Sequence, residues 1–339
     1  MVKLRHIIAM IVLCLACSFV GDDKSRSLDL TSVVFADAHN GYAIGSGTDG
    51  ATILKTSNGG ISWTMSYQSP HIILFGLSFR SSQEGWAVGS NGRIIATLDG
   101  GLTWNILQSG TTEDLFAIVA RLPSGPLFAV GKHGTLLSSV DDGKVWAKHV
   151  LPTTVDLTKV ALLPSDMLLV LGKDRLLTSR DYGAGWTTHG PYRWDTLFAV
   201  SFVSEHEGFL SAGPLLHTSD GGITLQQVVL PTNKRVIQIC TAGPQTLFAV
   251  SGSLSTGSVV HIRGERLPSE STILKSADSG KTWEPVFQLS DAETSRAYLT
   301  DIFFLDGKIG WAVGYSGTLV STVDAGKTWR EQRVSQSEN

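Results

Sequence analysis

TLDGGLTW (Thr97–Trp104) decides the fold, because seven versions of it run down the chain. The others are TSNGGISW (Thr56–Trp63), SVDDGKVW (Ser139–Trp146), SRDYGAGW (Ser179–Trp186), TSDGGITL (Thr218–Leu225), SADSGKTW (Ser276–Trp283) and TVDAGKTW (Thr322–Trp329). Successive copies end 41, 42, 40, 39, 58 and 46 residues apart. A period of this length with a turn signal in every copy marks a propeller, in which each repeat is one small antiparallel sheet.

The pattern S/T-x-D-x-G-x-T-W has a local cause. The carboxylate at its third position can accept hydrogen bonds from the N–H groups of a tight turn and from the hydroxyl two residues earlier. The Gly supplies a positive φ, and the Trp folds back over the hairpin. The unit is similar to the Asp-box of the bacterial neuraminidase repeat family, and its polar groups are expected to be consumed by their own turn. Three copies depart from the pattern: Asn58 stands for Asp, Gly185 for Thr and Leu225 for Trp. Those hairpins are expected to be the weaker ones.

Reading outward from each box gives a whole blade. In blade two an alternating run, Ile73 to Phe79, precedes the strand GWAVG (Gly85–Gly89), the strand RIIATLD, the box, and a last strand from Thr103 to Leu107. First strands such as LTSVVF (Leu30–Phe35) and LTDIFF (Leu299–Phe304), and second strands such as GYAIG (Gly41–Gly45) and GWAVG (Gly310–Gly314), recur in step. The expected fold is all-β, one seven-bladed β-propeller of four-stranded antiparallel blades over residues 28–335. Its blades fall at about 28–69, 70–110, 111–152, 153–191, 192–231, 232–290 and 291–335, with a short tail at 336–339. Such repeats cannot bury their own apolar faces alone, so stability comes from stacking and ring closure. The chain begins on a first strand and ends on a fourth, which leaves no strand exchange to latch the ring unless Gly21 to Leu28 supplies one.

The N-terminus reads as export machinery. Lys3, Arg5 and His6 precede the apolar run Ile7 to Val20, whose 14 residues are short for a membrane span. Residues 1–16 are expected to be a signal peptide and 17–27 a linker. CLAC (Cys14–Cys17) places a small residue before a Cys, so Cys17 is read as a lipidated mature terminus; cleavage after Ala16 is the alternative. Either way the protein is exported, to the periplasm or lumen.

Chemistry-bearing motifs are sparse. Cys14 and Cys17 spell C-x-x-C but lie in the leader, and Cys240 is expected to be a buried thiol without a disulfide partner. GSGTDG (Gly45–Gly50) joins two strands with no helix to hold a pyrophosphate. The 9 His are scattered without ligand spacing. No cofactor or metal is expected, and a formal charge of −3 argues against nucleic acid as a partner.

Strand order sorts the loops into two faces. The boxes share one face with the loops between first and second strands; the turns between second and third strands share the other with the inter-blade connections. The 58-residue step puts an insertion, Ser253 to Ser271, on that second face. Arg193, Trp194, Arg235, Arg263, Arg266 and Arg296 are expected there as a partner-binding cluster, with Lys234 beside them and Arg93, Lys132, His133, Lys173, Arg175 and Tyr315 on shorter loops. Glu113, Asp114 and Asp156 share the face, so its charge is mixed.

GWAVGSNGRIIATLDGGLTW (Gly85–Trp104) and GWAVGYSGTLVSTVDAGKTW (Gly310–Trp329) resemble the photosystem II stability and assembly factors of cyanobacteria and chloroplasts. That resemblance implies a seven-bladed, non-enzymatic propeller with an export or lipoprotein leader, which binds membrane-protein assembly intermediates through an arginine-rich patch. The expected function is therefore a non-catalytic, monomeric scaffold for a membrane-associated complex. The alternative is an Asp-box glycosidase or carbohydrate binder. A sialidase needs an arginine cluster with a tyrosine and carboxylates at the channel, and the RLP motifs at Arg121 and Arg266 stand after the first box, where the family's R-I-P precedes it.

Overall fold

The computed structural model describes residues 28–334 apart from 48, 194–195, 253–269 and 291–297. The expected signal peptide and Cys17 lie outside these residues. The chain forms seven sheets, each of four consecutive antiparallel strands, spanning 29–69, 74–107, 115–148, 157–189, 199–227, 235–290 and 299–333. It is an all-β, seven-bladed propeller. First strands touch the first strands of neighbouring blades all round the ring, so they form its innermost layer.

The recurrent Gly that opens a second strand has a steric reason. Phe35, Phe79, Phe202 and Phe304 end first strands, and their cross-strand partners are Gly41, Gly85, Gly208 and Gly310. A Cβ at any of these glycines would come within 2.4–2.6 Å of the facing ring. Glycine lets each ring lie across the second strand and reach the blade next door.

The core consists of seven inter-blade layers. One buried cluster joins Ile44 and Ile53 of blade one to Leu74, Ala87 and Ile95 of blade two, and an equivalent cluster fills every other seam. At the closing seam, Leu30, Val33 and Phe35 pack with Trp311, Val313 and Leu319. Among the described residues every sheet is built from consecutive strands, and none is exchanged at this seam. Closure relies instead on packing and on short links: Gly317 N donates to Leu28 O at 2.6 Å, Ser316 N to Asp29 Oδ1 at 3.0 Å, and Thr300 Oγ1 to Leu30 O at 2.8 Å.

Candidate docking face

All seven boxes adopt one turn. In blade two, Thr97 Oγ1 donates to Asp99 Oδ1 at 2.8 Å and accepts from Gly101 N at 2.7 Å; Thr103 donates its N–H to Oδ1 at 2.9 Å and its hydroxyl to Oδ2 at 2.6 Å. These bonds, led by the Thr103 hydroxyl, hold the Asp99 carboxyl at about 2. Asp220, Asp278 and Asp324 are held there in the same way. Asn58 keeps the geometry as an amide: its Oδ1 accepts from Thr56 Oγ1 and Ser62 N, and its Nδ2 donates to Ser62 Oγ. The departure at Asn58 therefore loses a charge and no bond.

One expectation needs correction, because the box does not consume all of its own polar groups. The carbonyl at its fourth position serves the preceding blade. Tyr42 Oη donates to Gly100 O at 2.8 Å, Trp86 Nε1 to Asp142 O at 3.1 Å, and Trp311 Nε1 to Gly59 O at 3.0 Å. The box face is thus a structural face whose turns are engaged both within and between blades.

In the innermost layer, the titratable residues of the described first strands are Asp29, Lys159, Arg235, Cys240 and Asp301. Asp301 is buried, and both its oxygens are occupied: Ser32 Oγ and Val33 N donate to Oδ2, Gln238 Nε2 and Ile302 N to Oδ1. Burial pushes the Cys240 thiol far up, which leaves it protonated and unreactive. Arg121 pairs with Asp166 on the box face at 2.7 Å. Among the described residues, the first strands bring no arginine cluster with a tyrosine to the channel.

The opposite face is built from connections. On blades three and four, Lys132 meets Asp114 at 2.7 Å, His133 meets Glu113 at 2.8 Å, and Arg175 meets Asp174 at 2.8 Å. The Asp114 carboxylate holds the Lys132 ammonium above its ordinary value. Between blades five and six the same face opens into a cleft of about 720 Å³. Arg193, Lys234 and Arg235 line it with Gln227 and Asn233, over Phe198, Pro214, Leu215, Val228 and Leu230.

Backbone stitching positions these cations. Tyr192 donates its N–H to Asp174 O at 2.8 Å and its hydroxyl to Gly222 O at 2.6 Å, which fixes the residue before Arg193. Val236 N donates to Gly213 O at 2.9 Å, forming an antiparallel bridge that ties the turn of blade five to the first strand of blade six. Gly213 makes that turn at φ +90°, a conformation that favours glycine, and the Arg235 stem lies alongside it. Among the described residues Arg235 has no ion-pair partner and is exposed.

Of the expected cluster, the structure brings Arg193 and Arg235 to one cleft, together with Lys234. Trp194, Arg263, Arg266 and Arg296 lie outside the described residues. The apolar floor was not anticipated. Its signal was the run VVLPTN (228–233), which follows an outer strand of only two residues, Gln226–Gln227.

The fold and this face define a class: a seven-bladed Asp-box propeller whose connection face carries a cationic cleft. Residues 65–155 match the family model described as photosynthesis system II assembly factor YCF48. A stretch of 67 residues is 36% identical to the photosystem II stability/assembly factor HCF136 of Arabidopsis thaliana, covering 20% of this chain and 17% of that protein. Among solved structures, YCF48 bound to D1 peptide superposes with a TM-score of 0.68 at 18% identity, covering 88% of this chain and 92% of that one. A virginiamycin B lyase from Staphylococcus aureus superposes with a TM-score of 0.67 at 14% identity, covering 87% and 94%. At such identities the superpositions show the fold alone. The chain is a seven-bladed Asp-box propeller, and within it residues 65–155 resemble the photosystem II assembly factors.

Proposed function

We propose that this protein is a non-catalytic, exported scaffold whose connection face docks a segment of a membrane protein during assembly of its complex. The observation that carries this reading is the cleft between blades five and six, where cations from two separate connections, Arg193 and Arg235, flank an apolar floor. Surface charges of this kind add little to folding, whereas cations beside an apolar slot recognise an acidic or carboxylate-bearing segment with apolar side chains. The relative solved with D1 peptide, and the assembly factors that share the sequence of blades two and three, support a membrane-protein segment as the occupant.

The test is Arg193→Glu combined with Arg235→Glu. Circular dichroism melts should be nearly unchanged, while capture of the membrane-protein partner from detergent-solubilised membranes should fall, most steeply at low salt where screening is weak. Unchanged capture by the double variant would place the docking face elsewhere. Turnover of a sialoside or a β-glucan by the wild-type protein would overturn the non-catalytic reading.

A further inference from the structure

We infer that the cleft-bearing connection face is the face this propeller turns toward the membrane. This rests on the export and anchoring reading above, and its geometric part stands on the ring itself. Leu28 and Asp29 are held at the turn between the second and third strands of blade seven, through Gly317 N to Leu28 O and Ser316 N to Asp29 Oδ1. Val334, at the far end of the last strand, donates its N–H to Gly317 O at 2.8 Å. Both sides of the ring closure therefore meet at one turn, and turns of this type share a face with the inter-blade connections that form the cleft.

Upstream of Leu28, only Gly21 to Ser27 separate the ring from the apolar run that ends at Val20. Those seven residues, Gly-Asp-Asp-Lys-Ser-Arg-Ser, are polar and span at most roughly 25 Å when fully extended. A lipid on Cys17, separated from Leu28 by ten residues that span at most roughly 35 Å, or the apolar run itself, would thus hold the propeller by its connection face on a short leash. The cleft at the junction of blades five and six lies two seams from the point of attachment. A docked segment would then be one that stays close to the bilayer, such as a short loop or tail of a membrane protein.

The chain processed from its own leader and acylated at Cys17, in a Cys240→Ala background, can carry a fluorophore at Asn233→Cys on the connection face or at Leu102→Cys on a box tip. Leu102 is exposed on the opposite face. In vesicles of phosphatidylethanolamine and phosphatidylglycerol doped with a nitroxide-headgroup lipid, quenching should be several-fold stronger at position 233 than at 102. A 30-residue Gly/Ser insertion after Ser27, about four times the natural spacing, should erase that difference. Membrane-bound protein quenched equally at both positions, or more at 102, would overturn the orientation while leaving the anchor intact. Orientation that survives the insertion would overturn the tether as its cause. Wild-type protein found only in the soluble fraction would overturn anchoring and orientation together.

Discussion

The indole N–H of Trp311 donates to the carbonyl of Gly59, 3.0 Å away across the seam where the ring closes. Trp311 belongs to the second strand of blade seven and Gly59 to the box of blade one. The same relationship joins Trp86 to Asp142 and Tyr42 to Gly100, so closure uses the joint that other seams use. Trp311 also stacks on Phe35, with ring centroids 3.4 Å apart. Trp311→Phe should keep most of that packing and lose the bond, at a cost of about 0.5–1.5 kcal/mol. Trp311→Ala should cost about 3–5 kcal/mol. Urea unfolding followed by circular dichroism measures both, and a neutral Trp311→Phe would reduce the seam bond to an incidental contact.

The box carboxylates predict a pH dependence with a definite sign. Their folded values lie near 2, against 3.8 for the free group, in Asp99, Asp220, Asp278 and Asp324. A depressed carboxyl contributes stability that is fully present above its unfolded value and is lost as pH falls through its folded value. The boxes should therefore hold the fold steady at neutral pH and release it between about pH 4 and pH 2. Asp99→Asn, which copies the natural Asn58, should be less stable than wild type at pH 7 and indistinguishable from it near pH 2. A gap that persists unchanged at pH 2 would mean that ionisation of Asp99 is not what its box contributes.

How much of this was legible in the sequence depends on distance along the chain. Thr97, Asp99, Gly101 and Thr103 lie within one turn, so their chemistry and the seven-fold repeat could be read directly. The positive φ at the residue before the box Gly was less visible. It is tolerated by Asp142, Tyr182, Ser279 and Ala325, none of which advertises it as a glycine would. Trp311 and Gly59 are separated by 252 residues, and only the ring brings them together. The cleft is of the same kind: Arg193 and Arg235 were placed on one face by strand order, but its floor of Phe198, Pro214 and Val228 comes from three segments that no local pattern connects.

Asp301 supplies the most demanding test of how the described blades close the ring. Its carboxylate is buried on the first strand of blade seven and accepts from Ser32 and Val33 of blade one, from Gln238 of blade six, and from its own neighbour Ile302. All four partners are donors, so an amide in its place would turn an N–H₂ group toward donors on one side and orphan them. Asp301→Asn should accordingly cost at least about 2 kcal/mol, since bonds to a charged group are among the stronger ones and unmet buried donors carry a desolvation penalty. The equivalent positions in blades two, three and five are Gly76, Ala117 and Ala199, which carry no carboxylate to make such a bridge. A double-mutant cycle separates the two blade contacts: Ser32→Ala and Gln238→Ala should each couple to Asp301→Ala by about 0.5–3 kcal/mol. Coupling to Gln238 but none to Ser32 would show that Asp301 secures blades six and seven only, and that the closing seam is held by Trp311, Phe35 and the Gly317 link without it.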